Sequence, residues 1–257
     1  MLKPGERAWW RGVGAGVECT ACRLVSPADP WAPLDAELRG AAGASAQARY
    51  QRGRQAREDR IRRRTPRLAG AILALTSPPR STLAWRDGAV GERQVGDLLE
   101  GLAGTGKVEA LHDRALPGSR ANIDHLVVGP AGVFLIDTKR YRARVECRDG
   151  GWAGDPRRAR LFVGGRDRTR LAEAMAGQLR AVRRALEEEP AVGVVPVLCF
   201  VDSDWPLLSG PFLIGEVQVV WPGALERLVV AAGPLGANRR LALATLLAVA
   251  LPRAAAD

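Results

Sequence analysis

With 257 residues, 47% of them apolar and 26% charged, the chain can bury a substantial core, and its composition excludes disorder throughout. A formal net charge of +10 predicts a surface that attracts polyanions, nucleic acid first and an anionic membrane second. The longest clean apolar stretch, LALATLLAVAL at 241–251, is too short to span a bilayer and reads as a buried terminal helix.

Residues 1–33 are rich in Gly, Pro and Trp and show no sustained periodicity, so irregular structure is expected. The opening MLKPGERAWWRGVG lacks the apolar core of a secretory signal, which points to a reducing, cytoplasmic setting. Cys19 and Cys22 have the spacing of half a zinc site, but no second pair follows, and Cys147, Cys199, His112 and His125 lie far away in sequence. From 34 to 64 the composition turns to Ala, Arg, Gln and Glu, which predicts a helix ending in the basic run REDRIRRRTPR at 57–67, where Pro66 stops or bends it. Apolar residues are sparse there, so the helix lies across the protein or projects from it. Its arginines fit a phosphate backbone, a protein partner or a solvated face. Ser77, Pro78 and Pro79 read as a linker, dividing an extension (1–80) from a second unit (81–257).

Regular patterning begins at 88. Glu92, Val95, Leu99 and Leu102 share a face of a helix over 89–103. Strand-like runs follow at 108–116, 122–129 and 133–141, the last two joined by a tight Gly-Pro-Ala-Gly turn that makes them an antiparallel hairpin. ARVEC and GWAG add one or two short strands. A helix over 169–189 carries the stripe Leu171, Met175, Leu179, Val182 and Leu186, with Gln178 breaking it. Strands at 194–202 and 217–221 and two final helices complete the chain. The order predicts an α/β protein with a mixed central sheet flanked by helices and functional groups at strand ends.

One lysine needs explaining. The chain has three lysines among 38 basic residues, and Lys139 stands two residues after Asp137 at the end of an apolar strand. Alternation places Val133, Leu135, Asp137 and Lys139 on one face, and the hairpin brings Asp124, in phase with Leu126 and Val128, opposite Asp137. Two carboxylates that close repel in a low-dielectric cleft unless a cation lies between them. Magnesium or manganese suits an oxygen set of Asp124, Asp137 and the Thr138 carbonyl, with Glu92 as a third carboxylate. A compact ammonium of adjustable pKa fits beside such an ion and a phosphate better than a guanidinium does. A salt bridge from Lys139 that closes the sheet edge remains the plainer alternative. His125, on the face opposite Asp124, reads as a hydrogen-bonded structural residue.

GERQVGDLLEGL at 91–102, with LHDRALPGSRANIDHLVVGPAGVFLIDTKRY at 111–141, resembles the NERD (nuclease-related) domain, a branch of the PD-(D/E)xK restriction-endonuclease-like superfamily, over about 88–200. The likeness implies a restriction-endonuclease-like sheet and a metal-dependent nuclease using Mg2+ or Mn2+ on nucleic acid, DNA first. It implies that Asp124 is the first metal-binding aspartate, Asp137 and Lys139 the (D/E)xK pair, Glu92 a helix glutamate that joins the metal or orients water, and Gln178 a site glutamine. Ile123 stands where the superfamily often has proline, and the glycine often found after the lysine has no clear counterpart in RARV. The alternative function is a nuclease-fold module that binds nucleic acid, or regulates, without cleaving it. A protein partner for the basic helix is also open.

Overall fold

In the computed structural model, residues 34–119, 121–149, 158–207 and 209–254 are described. The irregular segment expected over 1–33, the Cys19–Cys22 pair and the strand expected at GWAG lie outside them. Four helices come first: α1 (Ala36–Arg39), α2 (Ala44–Arg64), α3 (Ala69–Leu75) and α4 (Arg80–Gly104). Then follow β1 (Glu109–Ala115), β2 (Asn122–Gly129), β3 (Gly132–Arg140), β4 (Val145–Arg148), β5 (Arg160–Val163), β6 (Arg166–Asp167) and α5 (Arg170–Ala185). The chain finishes with β7 (Val194–Val201), β8 (Phe212–Ile214), β9 (Val217–Val220), α6 (Pro222–Val229) and α7 (Ala237–Ala250).

The main sheet has six strands in the order β1-β2-β3-β7-β9-β8. β1, β2 and β3 are antiparallel, β7 and β9 join in parallel to β3, and β8 closes the far edge antiparallel to β9. β4, β5 and β6 form a separate three-stranded sheet. The mixed α/β architecture with flanking helices is therefore present. Helices cover both faces of the main sheet. Leu126, Val128, Val133, Leu135 and Leu198 pack with Met175, Leu179 and Val182 of α5 and Leu243 and Leu247 of α7. Val127, Phe134, Ile136 and Val197 pack with Val95, Leu99 and Leu102 of α4 and Leu225 and Val229 of α6. A two-sided core explains why VFLI reads as an unbroken apolar run.

Two local predictions differ in extent. The first helix expected, over 34–64, is two, because Gly40 and Gly43 adopt positive φ between α1 and α2. The helix expected over 89–103 starts at Arg80, directly after Pro79 at its N-cap, since proline suits a helix entry. Its first turns lie on α2 rather than on the sheet. The short α3 and the strands β5, β6 and β8 carry too few residues for a periodic signal. Pro66 ends α2 as expected, with Thr65 as its C-cap.

Arg114 ties the N-terminal and C-terminal elements to β1. It is fully buried, and its guanidinium donates to the carbonyls of Leu251 at 2.6 Å, Ala248 at 2.7 Å and Leu38 at 2.8 Å. These include carbonyls of the last turn of α7, which have no partner within the helix. Arg114→Met removes all three charge-assisted bonds while roughly keeping the side-chain volume; urea unfolding should show a loss of about 3–5 kcal/mol.

Candidate metal and phosphate site

The hairpin of β2 and β3 does not pair to its open end. Antiparallel register runs from Gly129↔Gly132 to His125↔Ile136 and then stops. Past that point β2 continues to Asn122 beside β1, while β3 continues to Arg140 beside β7. The sheet forks, and the fork is filled by the Asp124 carboxylate, whose Oδ2 accepts the Thr138 N–H at 2.8 Å. A side chain thus takes the place of the missing ladder bond, which leaves a carboxylate in the plane of the sheet.

Strict alternation fails at the same place. Ile123 and Leu126 belong to one core cluster, although an odd separation should put them on opposite faces. Across the ladder, Asp113 has φ 51, and it is the one β1 residue between Glu109 and Ala115 with no partner in the register. The left-handed residue turns both strands over at 113 and 124. Asp124 is therefore not on the Leu126 face by simple alternation, as the sequence reading supposed. It stands at the turnover itself.

Four of the expected residues meet at this fork. Glu92, Asp124 and Asp137 are each between 8% and 9% exposed. Lys139 Nζ lies 2.5 Å from Asp137 Oδ2, which confirms that the two share a face. Glu92 arrives on α4 because Gly91 allows the helix to approach β3 closely: a Cβ at Gly91 would lie 3.1 Å from Arg140 Cβ and 3.5 Å from Thr138 Cγ2. The Gly-Glu pair is thus a contact point followed by a carboxylate. Among the described residues, Glu92 Oε2 is buried without a hydrogen-bond partner.

Gln178 sits one layer away on α5. Its Nε2 donates to the Asn122 carbonyl at 3.1 Å, and its Oε1 is buried without a partner among the described residues. The amide therefore braces β2 two residues before Asp124. His125 pairs Nδ1 to Nδ1 with His112 at 2.8 Å, and His112 Nε2 meets Glu100 Oε1 at 2.9 Å. His125 is thus placed in a buried polar chain on the α4 side of the sheet, as a structural reading requires.

Two contributors were invisible in the sequence. Asp113 accepts from Ser45 N at 2.6 Å, Ser45 Oγ at 2.8 Å and Asn122 Nδ2 at 2.8 Å, locking the start of α2 to the fork. Arg49 of α2 lies with its guanidinium 4.7 Å from the Trp85 ring and acts on Glu92 as a neighbouring positive charge. Only tertiary packing brings either to the site.

The electrostatics follow from burial. Burial, then the charges of Asp113 and Asp137, push Glu92 up to about 7, against the pull of Lys139 and Arg49. Burial, Glu92 and Asp137 raise Asp124 well above the carboxylate range, opposed by Lys139 and the Thr138 N–H. Burial disfavours the Lys139 ammonium, but Asp137, Asp124 and Glu92 outweigh it and raise its pKa. Those three carboxylates hold the ammonium protonated, so Lys139 stands in the fork as a positive charge.

Three carboxylates around one ammonium would carry excess negative charge if all were ionised, which burial in the fork disfavours, and one carboxylate oxygen lacks a donor. That donor chemistry fits a hard divalent cation. Among the described residues, however, no group of three or more His, Cys, Asp or Glu side chains converges closely enough to hold a metal ion. Glu92, expected as a third carboxylate, stands near enough for its charge to act on Asp124. Cys199 is buried in the core with its thiol pushed up to about 12, and it takes no part in the fork. Among the described residues, no helix is long and apolar enough to cross a membrane.

Residues 87–201 match the sequence model of a family described as NERD, nuclease-related domain. The span runs from within α4 to the end of β7 and holds Glu92, Asp124, Asp137, Lys139 and Gln178, while α2, α3 and everything after β7 fall outside it. No curated protein and no solved structure matches the chain.

The raised pKa of Glu92 has a measurable consequence. Its carboxyl titrates at 4.5 when unperturbed and at about 7 in the folded protein. The folded state therefore binds the proton more tightly, and stability falls as pH rises through that window, by about 3 kcal/mol from this group. In EDTA, wild type should melt at a higher temperature at pH 5 than at pH 8. Glu92→Gln should flatten that dependence; curves that stay parallel would contradict it.

Proposed function

We propose that this chain, whose residues 87–201 are a nuclease-related domain, hydrolyses phosphodiester bonds in nucleic acid, DNA first, at the fork between β2 and β3. The observation that carries the reading is the convergence of Asp124, Asp137, Glu92 and Lys139 on one break in the sheet, buried yet not matched acid by acid with arginine. A sheet held together for its own sake would continue the ladder and keep acids out of it.

Mg2+ or Mn2+ would be held by Asp124, Asp137 and the Thr138 carbonyl. When bound, a divalent ion polarises a phosphate and makes a water molecule more acidic. The remaining work falls to the chain. The Thr138 N–H fixes the orientation of the Asp124 carboxylate. Glu92 Oε2, buried without a partner, orients the attacking water and accepts its proton. Lys139, permanently charged, offsets the negative charge that grows on the phosphate oxygens as water attacks phosphorus in line and the P–O bond to the leaving strand breaks. Gln178 positions β2 through Asn122 and does not reach the reacting atoms, so its role is support. The unit from 81 to 257 is the catalytic part in this reading, and the region before it an extension.

A second reading has one specific observation behind it. Lys139 already neutralises Asp137 at 2.5 Å, as it would in a nuclease-fold module that binds or regulates without cleaving. Asp137→Asn separates the two. The enzyme reading expects cleavage of linear DNA in Mg2+ or Mn2+ to fall by at least about a hundredfold, with thermal stability within a few degrees of wild type. Unchanged cleavage in the variant contradicts the fork as the site of reaction, and no cleavage by wild type across DNA and RNA substrates with either metal selects the module.

A further inference from the structure

The chain's positive charge is concentrated in one structural feature. Residues 44–87, which form α2, α3 and the first turns of α4, contain eleven arginines against three acids, a formal +8 of the chain's +10. The two long helices run antiparallel. A Cβ at Gly43, which has φ 73, would lie 2.9 Å from the Ala89 carbonyl and 3.5 Å from Glu92 Cβ, and one at Gly53 would lie 3.2 Å from Thr82. The buried residues of α4 that meet the sheet begin at Gly91. The earlier turns of α4 and the later turns of α2 therefore extend past the sheet, starting from the mouth of the fork.

Along this arm the charges become progressively less compensated. Arg49 is tied to Trp85, Arg54 and Arg62 face Glu58, and Arg57 donates to the carbonyl of Thr76 at 2.8 Å. Arg60, Arg63, Arg64 and Arg67 are exposed and form no ion pair among the described residues. Arg60, Arg63 and Arg64 stand at i, i+3 and i+4, where like charges repel and weaken the helix that carries them. Such a cluster is relieved by an extended polyanion whose charges repeat along its length. The site at the root of the arm takes a phosphodiester in the reading above, so the geometry points to a continuous backbone. We propose that the arm clamps the phosphate backbone of duplex nucleic acid flanking the fork. At 1.5 Å per residue, Arg60–Arg64 lie about 24–30 Å along α2 from its start, or roughly seven to nine base pairs. The location rests on the nuclease reading; the binding does not require cleavage.

Leu68 and Leu75, 62% and 86% exposed, belong to the same arm, which makes an anionic lipid surface the competing partner. Binding of the full chain in EDTA distinguishes them. Fluorescence anisotropy would compare wild type with a variant carrying Arg60→Ala, Arg63→Ala, Arg64→Ala and Arg67→Ala. On a duplex of about 24 base pairs the variant should bind about 10- to 100-fold more weakly, and its log-affinity against log-salt slope should be shallower by about 3.6, at roughly 0.9 for each of four lost phosphate contacts. A duplex of about six base pairs, too short to reach the arginines from the fork, should show a difference below about threefold. Lysine at all four positions should restore binding, because charge and not guanidinium geometry is what the clamp uses. Equal affinity and slope on the long duplex would overturn the proposal, as would a loss confined to phosphatidylserine vesicles. If wild type cleaves nothing but the long-duplex difference persists, the nuclease reading fails and the clamp stands; if wild type cleaves and the difference is absent, the reverse holds.

Discussion

The bond from the Thr138 N–H to the Asp124 carboxylate is the constraint on which the candidate site depends. An antiparallel hairpin normally satisfies its backbone donors with backbone acceptors. Here pairing stops at His125↔Ile136, and a side chain supplies the next acceptor. That single substitution opens the sheet between two strands that stay paired on their outer sides on either side of Asp113 and along β7. It also fixes a carboxylate where main-chain atoms would otherwise shield the interior.

Everything charged nearby follows from that opening. Asp137 and Lys139 continue the β3 row past Leu135, where the two-sided core would otherwise demand apolar residues. Gly91 lets α4 descend far enough for Glu92 to join them. The resulting cluster disfavours full ionisation, and the protein answers with one ammonium on the same strand and one guanidinium, Arg49, from outside the family-matched span. A protein whose default cation is arginine has kept lysine at 139, consistent with a point charge that can sit beside a phosphate without the breadth of a planar group.

Much of this was legible from residue patterns, for reasons that differ by element. The β2–β3 hairpin was readable because Pro130 and Ala131 between two glycines define a short turn, and α5 because its apolar stripe keeps helical spacing over four turns. The pairing of Asp137 with Lys139 followed from alternation, which holds along β3. Alternation misled at Asp124, because the turnover is caused by the left-handed Asp113 on the neighbouring strand, and aspartate in that conformation leaves no local pattern. The charge state of Lys139 was hidden for a similar reason: it is set by three acids, two of them from other elements. The continuity of α2 and α4 as one arm was hidden because neither helix has enough apolar residues to announce the face on which they meet.

The arm and the fork together give the molecule a direction, from a desolvated acidic cleft at the root to exposed arginines that form no ion pair among the described residues. The central claim is that the cleft is arranged for a divalent cation. Anomalous scattering from a crystal soaked in Mn2+ tests it most directly. The account predicts a peak within ligand distance of both Asp124 and Asp137, with Lys139 displaced from Asp137, and its disappearance in Asp124→Asn. Absence of density in the fork at saturating manganese, with the lysine still seated on Asp137, would contradict it.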